Sequence, residues 1–350
     1  MIKGFISHGN VAAKSRAMYG ALLTRREYDH IMTMKTVGQL AGYLKGRRAW
    51  REPLKDINET SIHRSQLEAY LRRGFLYDFN RLMHHIFQGD RRFLEYMRMK
   101  SDIEMILVKV RQIVSGSEEI LPLSGYRHRQ ADSGIDMARL ENAAEFREII
   151  AAVADTPYHP LLARLPFTDD DDINYTVVEN ALVSFYFKSL LGAIKKMYPG
   201  EMGKKLSDNF GAMVDLLNVS CCMRLRRYFS SHPDALFVNM LPVYYKLSGD
   251  FFRTLAEAET NEEAADLLAA SPYRRAFRGV PIEDMADHID RMLYKYDKRL
   301  LYYPEPGIHT AVAYLQLKET EIKNIIHIVE CVRYGISPDE MPAFLVGYDD

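Results

Sequence analysis

A chain of 350 residues with 47% apolar and 27% charged side chains can bury a large core and is too apolar to be disordered. A formal net charge of -1 excludes the basic excess of a general nucleic-acid binder. Three cysteines, with Cys221 and Cys222 adjacent, exclude a disulfide framework and fit a reducing, cytoplasmic setting.

The N-terminal MIKGFISHGN lacks the apolar core of a signal peptide. Further on, Thr36 and Gln39 form the spacing of a capping box ahead of Leu40, Tyr43 and Leu44, and the segment closes on Trp50. Asn142 and Glu145 repeat that spacing ahead of Phe146, Ile149 and Ile150, closing on Thr156-Pro157-Tyr158. Thr260 and Glu263 repeat it again ahead of Leu267 and Leu268, closing on Ser271-Pro272-Tyr273. Each of these segments is accompanied by a polar pair nine residues apart: Asp102 with Arg111, Asp215 with Arg224, and Asn324 with Arg333. The aromatic marker moves from 50 to 158 to 273, and the polar marker from 102 to 215 to 324. Two independent markers thus share a period near 110 residues, which predicts an internal triplication.

Long amphipathic helices are expected at Ser65 to Ile86, Val177 to Met197 and Asp284 to Leu301. The last long helix carries an apolar stripe of Ile322, Ile325, Ile326, Val329 and Val332, with Glu319 placed to pair with Lys323. Gly335 ends it in a left-handed cap, and Ser337, Pro338 and Glu340 announce a short helix. The Ser-, Gly- and Pro-rich breaks divide the chain into repeat 1 (1–114), a linker (115–136), repeat 2 (137–229), a linker (230–242) and repeat 3 (243–350). The fold class is therefore all-α, with three similar helical-bundle lobes; so long a period suits lobes better than a stacked solenoid.

Nine residues turn a helix through about 900°, so the two members of each polar pair face opposite ways and meet different neighbours. Register-fixing polar groups, not catalytic ones, are the expected role of these residues, and core anchors that of Trp50, Tyr158 and Tyr273. Cys222 and Cys331 fit small apolar packing. Arg47, Arg48 and Arg51, and Arg224, Arg226 and Arg227, make small basic patches that read as solvated helix ends.

Motifs for chemistry are missing. The sequence has no GxGxxG, no HExxH and no CxxC, and Gly200 to Lys205 lacks the spacing of a phosphate-binding loop. The apolar run from Ala181 to Ile194 is interrupted by Lys188 and reads as too short and polar to cross a bilayer. No catalytic, cofactor-binding or metal-binding residue is assigned. The alternative is a magnesium-dependent enzyme similar to the terpenoid synthases, using the run Asp169-Asp170-Asp171-Asp172 to hold a metal and a diphosphate. That run follows Pro166-Phe167-Thr168 in a loop and reads more simply as a solvated acidic turn.

The stretches from Ala13 to Gly46 and from Lys318 to Met341 resemble the C subunit of the V-type (A-type) ATP synthases, the counterpart of the V-ATPase d subunit (the AC39 family). The resemblance spans essentially the whole chain. It implies a funnel of three lobes around a pseudo-threefold axis, on the cytoplasmic face of the membrane. Members of such a family sit on the membrane proteolipid ring and receive the central shaft subunits in a socket, transmitting torque without catalysis or cofactor. On that basis the socket is expected to be lined by polar and small residues near the lobe junctions.

Overall fold

The structure is a computed structural model that describes residues 2–116, 134–167, 173–228, 239–281 and 284–349; of residues 2–7, 227 and 228 it describes the backbone alone. Every regular element among them is a helix. A first stretch runs α1 (Ile2–Tyr19), α2 (Arg25–Met32), α3 (Val37–Gly46), α4 (Arg64–Met83) and α5 (Gln88–Ser115). A second runs α6 (Met137–Asn142), α7 (Phe146–Ala152), α8 (His159–Leu162), α9 (Tyr175–Met197) and α10 (Glu201–Tyr228). A third runs α11 (Gly249–Glu257), α12 (Asn261–Ala270), α13 (Arg274–Phe277), α14 (Met285–Leu301) and α15 (Ile308–Tyr334), followed by a 3-10 turn (Met341–Phe344).

The capping residues set the helix starts. The Thr36 hydroxyl accepts from the Gln39 amide at 3.2 Å, and Thr260 accepts from the Glu263 amide at 3.1 Å, as the spacing predicts. The middle segment differs. Asn142 is the last residue of α6, and Glu145 occupies the cap of α7, with the Glu148 carboxylate taking the Glu145 amide at 3.2 Å. Acidic side chains at both positions satisfy the free amides of the first turn. The structure adds a second set of caps: Thr24, Asp136 and Ser248 open α2, α6 and α11, spaced 112 residues apart both times.

Packing between stretches follows one rule. The second long helix of each lies on the first long helix of the next: α5 on α9, α10 on α14, and α15 on α4. Contacts of α9 with α10, α14 with α15 and α5 with α15 close a cycle of five helices. Helix α15 is its most enclosed member, for it also touches α1, α2 and α3. Every residue from Ile308 to Lys318 is buried, so this half is covered all round, and only the following half shows the expected one-sided stripe.

Gly335 ends α15 at φ 68°, with the Ile336 amide bonded to the Cys331 carbonyl at 2.9 Å, the predicted left-handed cap. Beyond it, the amides of Glu340 and Met341 bond to the Ser337 carbonyl and make a single turn, and the 3-10 helix begins only at Met341. Helix α9 has 23 residues, and its most apolar 18-residue stretch, mean hydropathy 1.3, passes for a membrane span by length and composition alone, but 44% of that stretch is buried against the rest of the protein; the run from Ala181 to Ile194 is its inner part. It packs between α5 and α10 and ends on Lys195 and Lys196.

Candidate functional site

The joints between successive stretches each carry a buried acid. At the first, Asp102 on α5 is 3% exposed and accepts from the Tyr158 hydroxyl at 3.2 Å. The turn holding Tyr158 is locked by Thr156, whose hydroxyl donates to the Val153 carbonyl (2.7 Å) and accepts from the Tyr158 amide (3.2 Å).

The second joint repeats these parts. Asp215 on α10 is fully buried and accepts from the Tyr273 hydroxyl at 2.8 Å. It also takes the amides of Tyr245 (2.9 Å), Lys246 (2.7 Å) and Leu247 (3.1 Å), the residues that lead into the Ser248 cap. Ser271 does for Tyr273 what Thr156 does for Tyr158, at 2.7 and 3.1 Å. Burial pushes the Asp215 carboxyl above the ordinary carboxylate range, while these donors pull it back.

The third joint is built differently. Glu321 on α15 accepts from the Leu23 amide at 2.7 Å, immediately before the Thr24 cap, as Asp215 does before Ser248. The aromatic of this joint is Trp50, which has no hydroxyl to offer. Lys318, one helical turn before Glu321, takes that part. Its ammonium donates to Glu321 at 2.6 Å, stands 3.9 Å from Asp78 and lies 3.4 Å from the centroid of the Trp50 ring. Asp78 in turn accepts from Tyr314 (2.6 Å) and pairs with Arg81 (3.1 Å). Lys318 is wholly buried, so this lysine persists only because its charge is matched on both sides.

The nine-residue pairs are thereby placed. Asp102 and Asp215 are buried. Arg111, Arg224 and Arg333 are exposed, Arg111 donating to the Tyr175 hydroxyl of α9 at 2.6 Å. Asn324 is buried but holds a different post, exchanging bonds with the Val346 backbone at 2.9 and 3.0 Å. Asn218 on α10 makes the same exchange with Leu241, at 3.0 and 2.8 Å. On α15, the counterpart of Asp215 is therefore Glu321, one turn before the Asn324 that the spacing suggested. An acid three residues before a buried asparagine, Asp215 before Asn218 and Glu321 before Asn324, was the signal that could have revealed it. Among the basic patches, Arg226 does not face solvent freely: its guanidinium closes the end of α11 by donating to the carbonyls of Leu255, Ala256 and Ala258. The Arg227 side chain and the acidic run Asp169 to Asp172 lie outside the described residues.

A second polar group sits where the five-helix cycle closes. Lys100 of α5 pairs with Glu319 of α15, so Glu319 turns inward instead of meeting Lys323 along its own helix. Beside them Asp297 of α14 accepts from the Asn209 amide of α10 at 3.1 Å, and Gln316 of α15 donates to Asn209 at 3.4 Å. Burial pushes the Asp297 carboxyl up to about 8, so it holds its proton at neutral pH. Burial pulls the Lys100 amine down, but Glu319 and Glu104 outweigh it and leave it above its ordinary range. The Lys100 side chain still keeps 32% of its surface exposed, while Asp297 and Asn209 beside it are buried.

The family model described as ATP synthase (C/AC39) subunit matches residues 11–344. The chain belongs to that family. It is 21% identical to the d subunit of a V-type proton ATPase of Saccharomyces cerevisiae over 93% of this chain and 94% of that protein. It is 22% identical to the C subunit of an A-type ATP synthase of Methanosphaera stadtmanae, covering 93% of this chain and 84% of the relative. A third relative, the A-type ATP synthase C subunit of Methanosarcina mazei, is 25% identical over 81% of this chain and 75% of its own. The match of the C/AC39 family spans all three joints.

Proposed function

We propose that this chain is the non-catalytic central-stalk subunit of a V-type (A-type) rotary ATPase. It joins the central shaft subunits to the membrane proteolipid ring on the cytoplasmic face and transmits torque between them. The observation that carries this reading is the family match over residues 11–344, together with relatives named as d and C subunits. A torque coupling must resist twist, and buried, hydrogen-bonded joints between successive lobes supply that stiffness.

In this reading the chain is an internal triplication closed around a pseudo-threefold axis, with repeats bounded near 1–114, 137–229 and 243–350. Its support is the recurrent packing of α5 on α9, α10 on α14 and α15 on α4, and the caps at Thr24, Asp136 and Ser248. The socket for the shaft is the polar centre around Lys100, Glu319 and Asp297. That the partners are a shaft and a ring rests on the family, and no residue of this chain is assigned to the ring.

Affinity purification of the tagged chain from gently solubilised native membranes, with partners identified by mass spectrometry, tests the assignment. Co-recovery of shaft subunits with the proteolipid ring is expected. Recovery of the chain alone from the soluble fraction would overturn it.

A further inference from the structure

One cleft of the third stretch is occupied by positive charge alone. It has a volume of about 950 Å³ and lies between the turn at 270–276 and one face of α14. From α14 it takes His288, Met292, Lys295, Tyr296 and Arg299, residues at helical spacing along a single stripe. From the turn it takes Arg274 and Arg275, and Lys246 closes one side. No Asp or Glu is among the described residues that line it.

The frame of the cleft is fixed. Tyr273 and Met292 are buried beneath it, and His288 is bonded to the Ala276 carbonyl at 2.6 Å, tying α14 to the turn. Lys246 is already neutralised by Asp208 at 2.7 Å. The three arginines, Arg274, Arg275 and Arg299, are all exposed. Among the described residues, none forms an ion pair with the three arginines. The corresponding turn of the second stretch carries His159 and Pro160 after Tyr158 where this one carries Arg274 and Arg275 after Tyr273. The shared turn therefore does not by itself require an arginine pair after its aromatic residue.

Bringing like charges together in a concave site is unfavourable by itself and focuses a positive field on whatever enters. Guanidinium forks from two elements suit oxygens arranged around phosphorus, to which they bond in pairs. The volume is that of a small-molecule site. We propose that this cleft binds a phosphate-rich, multiply anionic group, carried either by a soluble polyphosphate compound or by a phosphorylated lipid headgroup. This proposal stands apart from the stalk assignment, because it concerns the isolated full chain.

Isothermal titration of the full chain with tripolyphosphate should show saturable, salt-sensitive binding. The double variant Arg275→Glu with Arg299→Glu should bind about ten-fold more weakly or worse. A control pair on the turn after α3, Arg48→Glu with Arg51→Glu, should leave binding unchanged. Thermal unfolding of each variant checks the fold, and the milder Arg299→Gln should give a smaller loss in the same direction. Sedimentation with neutral vesicles doped with a phosphoinositide bisphosphate separates the two sources. Binding to these vesicles that the double variant loses, without binding of tripolyphosphate, assigns the lipid headgroup; binding of tripolyphosphate assigns the soluble one. Binding to neither probe, equal losses in both double variants, or preference for a hexaglutamate peptide would overturn the proposal.

Discussion

In two of the three joints the aromatic anchor itself closes the contact, its tyrosine hydroxyl on an aspartate, whereas in the third a lysine is lodged between two carboxylates and a tryptophan ring. Asp102 and Asp215 are buried and each accepts from a neutral tyrosine hydroxyl, Asp215 from three backbone amides as well. The Trp50 joint buries Asp78, Lys318 and Glu321 together, each at most 3% exposed, with Arg81 at the margin. The lesson lies in the donor. A tyrosine brings its own hydroxyl to the acid from the aromatic anchor. Indole of similar bulk leaves the acid without one, and here the ammonium is delivered from the acid's own helix, three residues earlier. A charged donor makes the joint more dependent on complete pairing than a hydroxyl does. This third joint is also the one that brings the end of the chain onto its beginning, since α15 meets α2, α3 and α4 there.

The sharpest way to break the comparison is Lys318→Ala. It leaves two buried carboxylates facing each other and is expected to cost about 3–5 kcal/mol, read from chemical denaturation of the purified chain. Replacing both charged partners, Lys318→Met with Glu321→Gln, should recover at least half of that loss, because no unmatched charge then remains between them. An unchanged denaturation midpoint in Lys318→Ala would show that the lysine is not what holds this joint.

The next effect concerns the room that the indole needs. A Cβ added to Gly74 on α4 would stand 2.5 Å from Cζ3 of Trp50. Gly74→Ala should therefore destabilise by about 1–3 kcal/mol through overpacking, despite alanine's better helix propensity. In the double variant Gly74→Ala with Trp50→Phe, where the ring is smaller, the cost of the added methyl should fall. Equal costs in both backgrounds, measured as a double-mutant cycle, would refute the steric account.

Smallest are the hydroxyl deletions. Tyr273→Phe removes one of four donors to Asp215 and should cost about 1 kcal/mol, with the three backbone amides keeping the carboxyl in place. Tyr158→Phe should have an effect of the same order. If either exceeded the loss from Lys318→Ala, the contrast between neutral and charged joints would be inverted.

Much of the fold was legible in the chain. Cap residues, the 3.6-residue apolar periodicity and the glycine at 335 are local signals, because a helix start, face or end depends on side chains within one or two turns. Thr36, Thr260 and Gly335 behave as their spacing predicts. Asn142 shows where local signals compete, since two capping boxes three residues apart fit the sequence equally well and the length of α6 selects Glu145. The opposite facing of Asp102 and Arg111 likewise followed from helical geometry alone.

What the tertiary structure decided is which partner each buried polar group meets. Glu319 has Lys323 four residues away, yet bonds to Lys100 more than two hundred residues earlier. Lys318 reads as one more charged residue before an apolar stripe, yet it is enclosed on all sides because α15 is surrounded by other helices. Asn324 and Glu321 both stand where a repeated polar marker could, and only the backbone segments they hold tell them apart. The positive cleft assembles from two segments, 270–276 and 288–299, whose charges look ordinary when each is read alone. The physical reason is common to all four cases. Local sequence dictates which way a side chain leaves its helix, whereas its charge partner and its dielectric surroundings depend on which distant helix is packed there.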